Sequence, residues 1–531
     1  MRGRLRELFG SFLLYGLGDT ATQVVSFLLL PLYVRYLSPA DYGVLALLLT
    51  TEVVSKIVFR WGIDASFMRL YYDCADARER QRLASTHFLF LLVVNGVLLL
   101  GALLVAPALA EHLFGTGQYT GTLRLVFVNT FVVGFYYLPF HVLRIEGRPG
   151  QFVGLAFGRS VATLVARLVL VIGAGLGVHG VVVADVAVTV VFTAVLVPWF
   201  VPLLRPVFSK EVLIDSLRFG LPRLPHGIAH QVIAVFDRYW LGRLVTLHEL
   251  GLYSTGASFG LGLKLFLSAF EYAWAPFYFG LMRAPDAKRT FARVTTYCIG
   301  ILLLLATGLS ALADDLVALM TAPSFQHAAA VVPWIAMGVT LQGVYLLASI
   351  GLNITKRTEY YPIATGIAAV VSVGMNLALV KPFGILGSAV ANTTAYAVLA
   401  AVAWWFSQRV YPIPYEVGRL VRLTMAAVGA FLAGRLLVPQ LDHPLIGLLV
   451  RGVVVVATYA AILLVSGFFV AGELRELKGL GARLRRRRVI EPGSGTAELA
   501  GELAGGPTID EAEVVDDPRR NEGHRPASRA R

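Results

Sequence analysis

The chain has 531 residues, of which 57% are apolar and only 15% charged, and its mean hydropathy is +0.70. A water-soluble protein carries charge on nearer a quarter of its residues, so a string of soluble domains is excluded and a polytopic membrane protein is indicated. A formal net charge of +13 would by itself admit a nucleic-acid binder, but the placement of the charges along the chain decides against one.

A helix needs about 20 apolar residues to cross a hydrocarbon core roughly 30 Å thick. Fourteen such stretches are predicted, at 11–34, 43–63, 85–106, 122–143, 152–176, 178–202, 225–246, 251–282, 293–313, 327–350, 360–380, 384–407, 418–438 and 445–471. Arg2, Arg4 and Arg6 precede the first like the start of a signal peptide, yet no small-residue cleavage site follows and the stretch is a full span. Lys and Arg number 29 in the loops of one side and 4 (Arg35, Arg243, Lys381, Arg435) in those of the other. The positive-inside rule then places both termini in the cytoplasm of a multi-pass protein of the cytoplasmic membrane. Beyond the last span, Arg485 to Arg488 read as a topological stop, and 489–531, with 9 acidic and 5 basic side chains, as a disordered tail.

The chain also resembles itself. Arg35-Tyr36-Leu37-Ser38-Pro39-Ala40-Asp41-Tyr42-Gly43-Val44 aligns without a gap on Arg243-Leu244-Val245-Thr246-Leu247-His248-Glu249-Leu250-Gly251-Leu252, at an offset of 208, and Gln23 falls on Gln231. The repeats start six spans apart and so enter the membrane in the same direction, which implies a pseudo-two-fold axis along the membrane normal with a site between the lobes. The expected fold is all-α: an N-terminal six-helix lobe (1–223), a C-terminal six-helix lobe (224–410), an appended helix pair (411–472) and a basic, then disordered tail (473–531).

Ionisable side chains deep in spans cost about 2.5–3.5 kcal/mol each on insertion scales and should face a cavity or a partner. Glu52, Lys56 and Arg60 share one helical face; Asp19 with Gln23, Arg159 with Arg167, Asp237 with Arg238, and Lys264 with Glu271 occupy other spans. The plainer alternative is mutual neutralisation, with Glu52–Lys56 and Lys264–Glu271 as the obvious couples. Arg159 and Arg167 have no acid within a turn on their own helix, which favours a cationic cavity for an anionic substrate. The predicted cavity set is Lys56, Arg60, Arg159, Arg167, Arg238, Lys264, Gln23 and Gln231, with Asp19, Glu52, Asp237 and Glu271 serving ion coupling or charge pairing. Arg124, Asp185 and Arg451 lie near span ends and are expected to snorkel to the interface.

Other patterns carry less. Gly175-x-Gly177-x-x-Gly180 sits between two spans without a βαβ unit, so it is no dinucleotide site. His226 and His230 lack a third ligand, and Cys74 and Cys298 form no metal-binding or disulfide pattern; no cofactor or metal is expected. Pro31, Pro139, Pro276 and Pro333 are candidate kinks.

Several segments resemble the polysaccharide biosynthesis flippases, the Wzx-like members of the multidrug/oligosaccharidyl-lipid/polysaccharide exporter superfamily. Leu29-Leu30-Pro31-Leu32-Tyr33-Val34-Arg35-Tyr36-Leu37-Ser38-Pro39-Ala40-Asp41-Tyr42-Gly43 is similar to that family's first external turn, and Trp61-Gly62-Ile63-Asp64-Ala65-Ser66-Phe67-Met68-Arg69-Leu70-Tyr71-Tyr72 to its second-span exit. Leu143 to Arg148, Phe219 to Pro222 and Phe236 to Tyr239 are similar as well. The resemblance implies flipping of an undecaprenyl-diphosphate-linked oligosaccharide by alternating access, with basic groups at Lys56, Arg60, Arg238 and Lys264 lining the cavity. Its expected partners are that lipid-linked glycan, membrane lipids, and a polysaccharide polymerase or glycosyltransferases; nucleic acid is not one. The rival within the superfamily is a cation-coupled drug exporter, whose cavity should be rich in acids and aromatics. The rival of another class, a membrane-embedded polymerase or acyltransferase, wants catalytic groups on sizeable loops, and the external loops here are only about 5–16 residues.

Overall fold

Ser38 opens the first long helix with a reciprocal cap: its hydroxyl accepts from the Asp41 backbone N–H, and the Asp41 carboxylate accepts from the Ser38 N–H, while Pro39 supplies a fixed φ at the first helical position. Thr246 and Glu249 build the same box 208 residues later. The computed structural model describes residues 29–469, except 222, 223, 440 and 442 and the side chains of 32, 149 and 226. Asp19, Gln23, most of the first expected span and the tail lie outside the described residues.

The described helices in the first half are α1 (Leu30–Tyr36), α2 (Pro39–Arg60), α3 (Ile63–Asp73), α4 (Ala77–Phe114), α5 (Thr120–Ile145), α6 (Pro149–Arg167), α7 (Gly177–Phe200) and α8 (Lys210–Gly220). The chain continues through α9 (Leu224–Leu244), α10 (Leu247–Phe259), α11 (Leu261–Leu281), α12 (Ala287–Ala311), α13 (Ala313–Met320), α14 (Val332–Ala348), α15 (Ile350–Ile354), α16 (Tyr360–Val410), α17 (Val417–Leu436) and α18 (Pro444–Val465). Ten helical segments among the described residues are long and apolar enough to cross a membrane. α9 is not one of them, because Asp237, Arg238, Arg243 and two histidines dilute its apolar character.

Two expected spans take a different form, and two others run together. The second breaks where Trp61 and Gly62 both adopt positive φ (52° and 69°), so that α3 leaves at a new angle. Buried Asn95 of α4 steadies the break, donating to the Phe59 carbonyl (2.9 Å) and accepting from the Trp61 indole (3.2 Å). The eighth is two helices, α10 and α11, meeting at Gly260. α16 is nominally 51 residues, about 76 Å if straight, yet Ser388 donates to Asn376 across 2.8 Å. Such a contact requires the chain to double back, and Gly384 (φ 54°, ψ −131°) supplies the turn, so α16 is a tight helical hairpin as the two separate apolar stretches predict.

The two halves meet through α2 and α10. A Cβ on Gly43 would strike the Leu247 carbonyl, and one on Gly251 would strike the Pro39 carbonyl; the same Cβ positions lie 3.2 and 3.1 Å from the backbone nitrogens of Gly251 and Gly43. Gly43 and Gly251, like Pro39 and Leu247, are 208 residues apart. The repeat seen in the sequence is thus realised as a reciprocal contact of each copy with the other. Outward, α4 presents Val93, Val97, Leu100 and Leu104 as an exposed apolar stripe suited to lipid.

Candidate functional site

On α2, the helical spacing that puts Glu52, Lys56 and Arg60 on one face also lets neighbours neutralise one another. Lys56 Nζ lies 2.7 Å from Glu52, which also accepts from Asn129 of α5 at 3.1 Å. Arg60 reaches Asp64 at 3.4 Å across the α2–α3 break and lies over the Tyr137 ring, 4.3 Å from its centre. His141, which the sequence did not single out, is 3.9 Å from the same Asp64 carboxylate. Both cations keep appreciable access, with side chains 29% and 38% exposed.

Beside this row an open cleft of about 390 Å³ separates the halves, lined by Ile57 of α2 and by Gly227, His230 and Gln231 of α9. It stands on the helix segments remote from the Gly43–Gly251 contact. The structure therefore brings Gln231 against α2 at Ile57, whereas Glu52 and Arg60 of the row make their contacts with Asn129 and Tyr137 of α5.

Arg238 and Lys264 lie elsewhere, in a smaller hollow of about 40 Å³ inside the second half. Asp237, 3% exposed, accepts there from the Tyr253 hydroxyl, from the Arg238 backbone N–H at 2.8 Å and from Asn392 at 3.5 Å, with the Arg238 guanidinium 3.6 Å away. Lys264 makes no ion pair with Glu271: Glu271 is exposed, and that expected couple does not form.

Arg159 donates to Thr189 at 3.2 Å and lies over Tyr136, with no carboxylate partner among the described residues. Arg167 is held by a forked pair of bonds to Asp185 (2.8 and 2.7 Å) and by the Tyr33 hydroxyl at 2.8 Å. This corrects the expected interfacial Asp185: its partner is on the preceding helix, and the pair is largely shielded, at 16% and 14% exposure. A π-helical turn over Leu168–Gly173 follows Arg167 directly. Replacing Asp185 by Asn should cost about 3–5 kcal/mol, since it leaves Arg167 charged and half-satisfied; replacing both residues by apolar ones should recover most of that, as read by thermal unfolding in detergent. Arg451, also expected at the interface, is buried against Asp315 at 2.6 Å. Arg124 remains exposed and donates to the Leu103 carbonyl, as a snorkelling residue does.

A helical membrane body whose two halves meet at equivalent residues of a repeat defines a class, the multi-pass membrane proteins built from two related helical halves. Within it, the chain belongs to the family described as polysaccharide biosynthesis protein, which matches residues 32–330. It is 20% identical over 288 residues to a Haemophilus influenzae protein described as Lsg locus putative protein 1, covering 52% of this chain and 67% of that one. Among solved structures, its fold is similar to the lipid II flippase MurJ in an inward closed conformation (TM-score 0.70, 12% identity, 85% of this chain and 98% of that chain). It is also similar to an inward-facing multidrug-resistance MATE transporter (TM-score 0.60, 16% identity, 76% and 96%).

Proposed function

We propose that the protein flips a lipid-linked oligosaccharide, on an undecaprenyl-diphosphate-type carrier, from the cytoplasmic to the outer leaflet. It does so with two six-span lobes, residues 1–223 and 224–410, and an appended helix pair, both termini being cytoplasmic. The observation that carries this reading is the cleft of about 390 Å³ between α2 and α9, with Lys56 and Arg60 within one helical turn of its lining residue Ile57 along α2. Family membership and the 29-to-4 loop asymmetry support it.

A diphosphate cannot cross hydrocarbon unaided, because desolvating its charge costs on the order of tens of kcal/mol. A wet cleft keeps the head group hydrated while the prenyl chain stays in lipid. Lys56 and Arg60 are already paired; the Arg60–Asp64 pair, 38% and 28% exposed, is of the kind worth only about 0–1 kcal/mol and exchanges its carboxylate for a phosphate at little cost, while Lys56 is held by the more enclosed Glu52. The Arg167–Asp185–Tyr33 cluster is too enclosed for such an exchange, and we assign it an anchoring role. An inside-negative potential drives anions outward by roughly 2.3 kcal/mol per charge per 100 mV. The drug-exporter reading is less well supported, since the described cleft wall offers histidine and glutamine rather than acids and aromatics.

Replacing Lys56 and Arg60 together by Gln should lower glycan export by about 10- to 100-fold, the loss of one or two charge-assisted hydrogen bonds, with precursor accumulating in the inner leaflet. Export at the wild-type rate, with the variant present at normal level in the membrane, overturns the proposal.

A further inference from the structure

The hollow inside the second half is distinct from the inter-half cleft in lining, size and charge. Its polar wall is Asp237 and Arg238 from α9, Tyr253 from α10, Lys264 from α11, and Asn392 and Tyr396 from the second arm of α16. It therefore faces two cations with one carboxylate.

That carboxylate is already committed. Both Asp237 oxygens accept hydrogen bonds, one from the Arg238 backbone N–H and the other from the Tyr253 hydroxyl and the Asn392 amide, and the guanidinium of Arg238 neutralises the group from 3.6 Å. Lys264 has neither an ion pair nor a hydrogen bond to any described residue, and Glu271, seven positions along the same helix, is exposed. An uncompensated ammonium at membrane depth costs several kcal/mol, and such groups are found with a counter-charge. The space beside it, about 40 Å³, suits one particle slightly larger than a water molecule and is an order of magnitude too small for a sugar diphosphate.

We propose that this hollow binds one small monovalent anion of halide size, held by Lys264 with Arg238 and the Tyr396 hydroxyl around it. The site is independent of the substrate reading: it neither requires nor supplies a glycan. By tying α9, α11 and α16 to a common counter-charge, the anion completes the packing of the second half.

The test uses the full-length protein in lipid nanodiscs at constant ionic strength, exchanging gluconate for chloride, bromide, sulfate or pyrophosphate and following thermal unfolding. The unfolding temperature should rise with the logarithm of chloride or bromide concentration once the site saturates, and should not respond to sulfate or pyrophosphate. Lys264→Gln should abolish the chloride response and should be more stable than the parent in gluconate, since it removes a charge that has no partner among the described residues. If Lys264→Gln fails to fold, bromide is located by anomalous diffraction from the unmodified protein and should lie against Lys264. Equal unfolding temperatures in chloride and gluconate, a chloride response retained in Lys264→Gln, bromide absent from this hollow, or stabilisation by pyrophosphate as strong as by chloride each overturn the proposal. Because the readout is stability rather than export, failure here leaves the flippase reading standing, and failure of the Lys56/Arg60 experiment leaves this one standing.

Discussion

Gly251→Val should prevent α2 and α10 from closing on each other. The Cβ it adds points at the Pro39 carbonyl, a backbone atom that cannot rotate away, so the two helices must part. Overpacking of this kind costs about 1–3 kcal/mol, and because the cost falls only on the state in which the halves touch here, it shifts the conformational balance about 5- to 150-fold toward separation. Gly43→Val is its mirror image and should behave alike, since its Cβ meets the Leu247 carbonyl. The shift is read with Leu47→Cys in a background lacking Cys74 and Cys298: Leu47 is 1% exposed beside Gly242 on the facing helix, so a membrane-impermeant maleimide should label it faster in either glycine variant. On the proposed orientation this contact is the outer gate, and a protein that cannot reseal it should also export less glycan. Labelling at the parental rate in both variants would show that the glycine crossing is not the seal.

The second large effect is expected where α17 turns into α18, the appended helix pair. Arg451 of α18 donates to Asp315 at 2.6 Å and to the carbonyls of Val438 and Pro439 at 3.5 and 3.2 Å, and the two side chains are 5% and 9% exposed. Gly447 makes room for the pair, as a Cβ there would lie 2.7 Å from the Asp315 carboxylate. Removing either partner strands a buried charge, so Arg451→Met or Asp315→Leu alone should cost about 3–5 kcal/mol, whereas the double replacement should be nearly neutral. The adjacent Arg435–Asp314 pair has the same chemistry and similar length, 3.1 Å, but is 40% and 41% exposed, and Asp314→Asn should cost under about 1 kcal/mol. Chemical denaturation in mild detergent compares the four variants. A double replacement as damaging as the singles would mean that packing around Gly447, rather than charge, holds α18 in place.

What could be read directly from the chain follows from short-range periodicity. Apolar runs about 20 residues long can satisfy their backbone in lipid only as helices, so the spans are visible as composition. Glu52 and Lys56 pair as their spacing of four demands. The 208-residue repeat marked both capping boxes and both glycines, and copies related by a two-fold axis can touch at equivalent residues. Lys264 and Glu271 show where the same logic ends: seven residues separate them by about 10.5 Å along the axis, and sharing a helical face does not bring their charges together.

Residues far apart in the chain needed the folded protein to be matched. Asp185 stands 18 residues from Arg167 and Asp315 stands 136 from Arg451, distances at which composition and spacing carry no pairing information. Nor could local pattern separate the cations into an accessible row at Lys56 and Arg60, an enclosed anchor at Arg167 and, at Lys264, a charge unmatched among the described residues. Membrane insertion and helix identity are settled within a few turns of chain, because the bilayer charges every unsatisfied polar group where it stands. Which buried charge meets which partner, and which is left facing a hollow, depends on how the helices cross, and that is a property of the packed body alone.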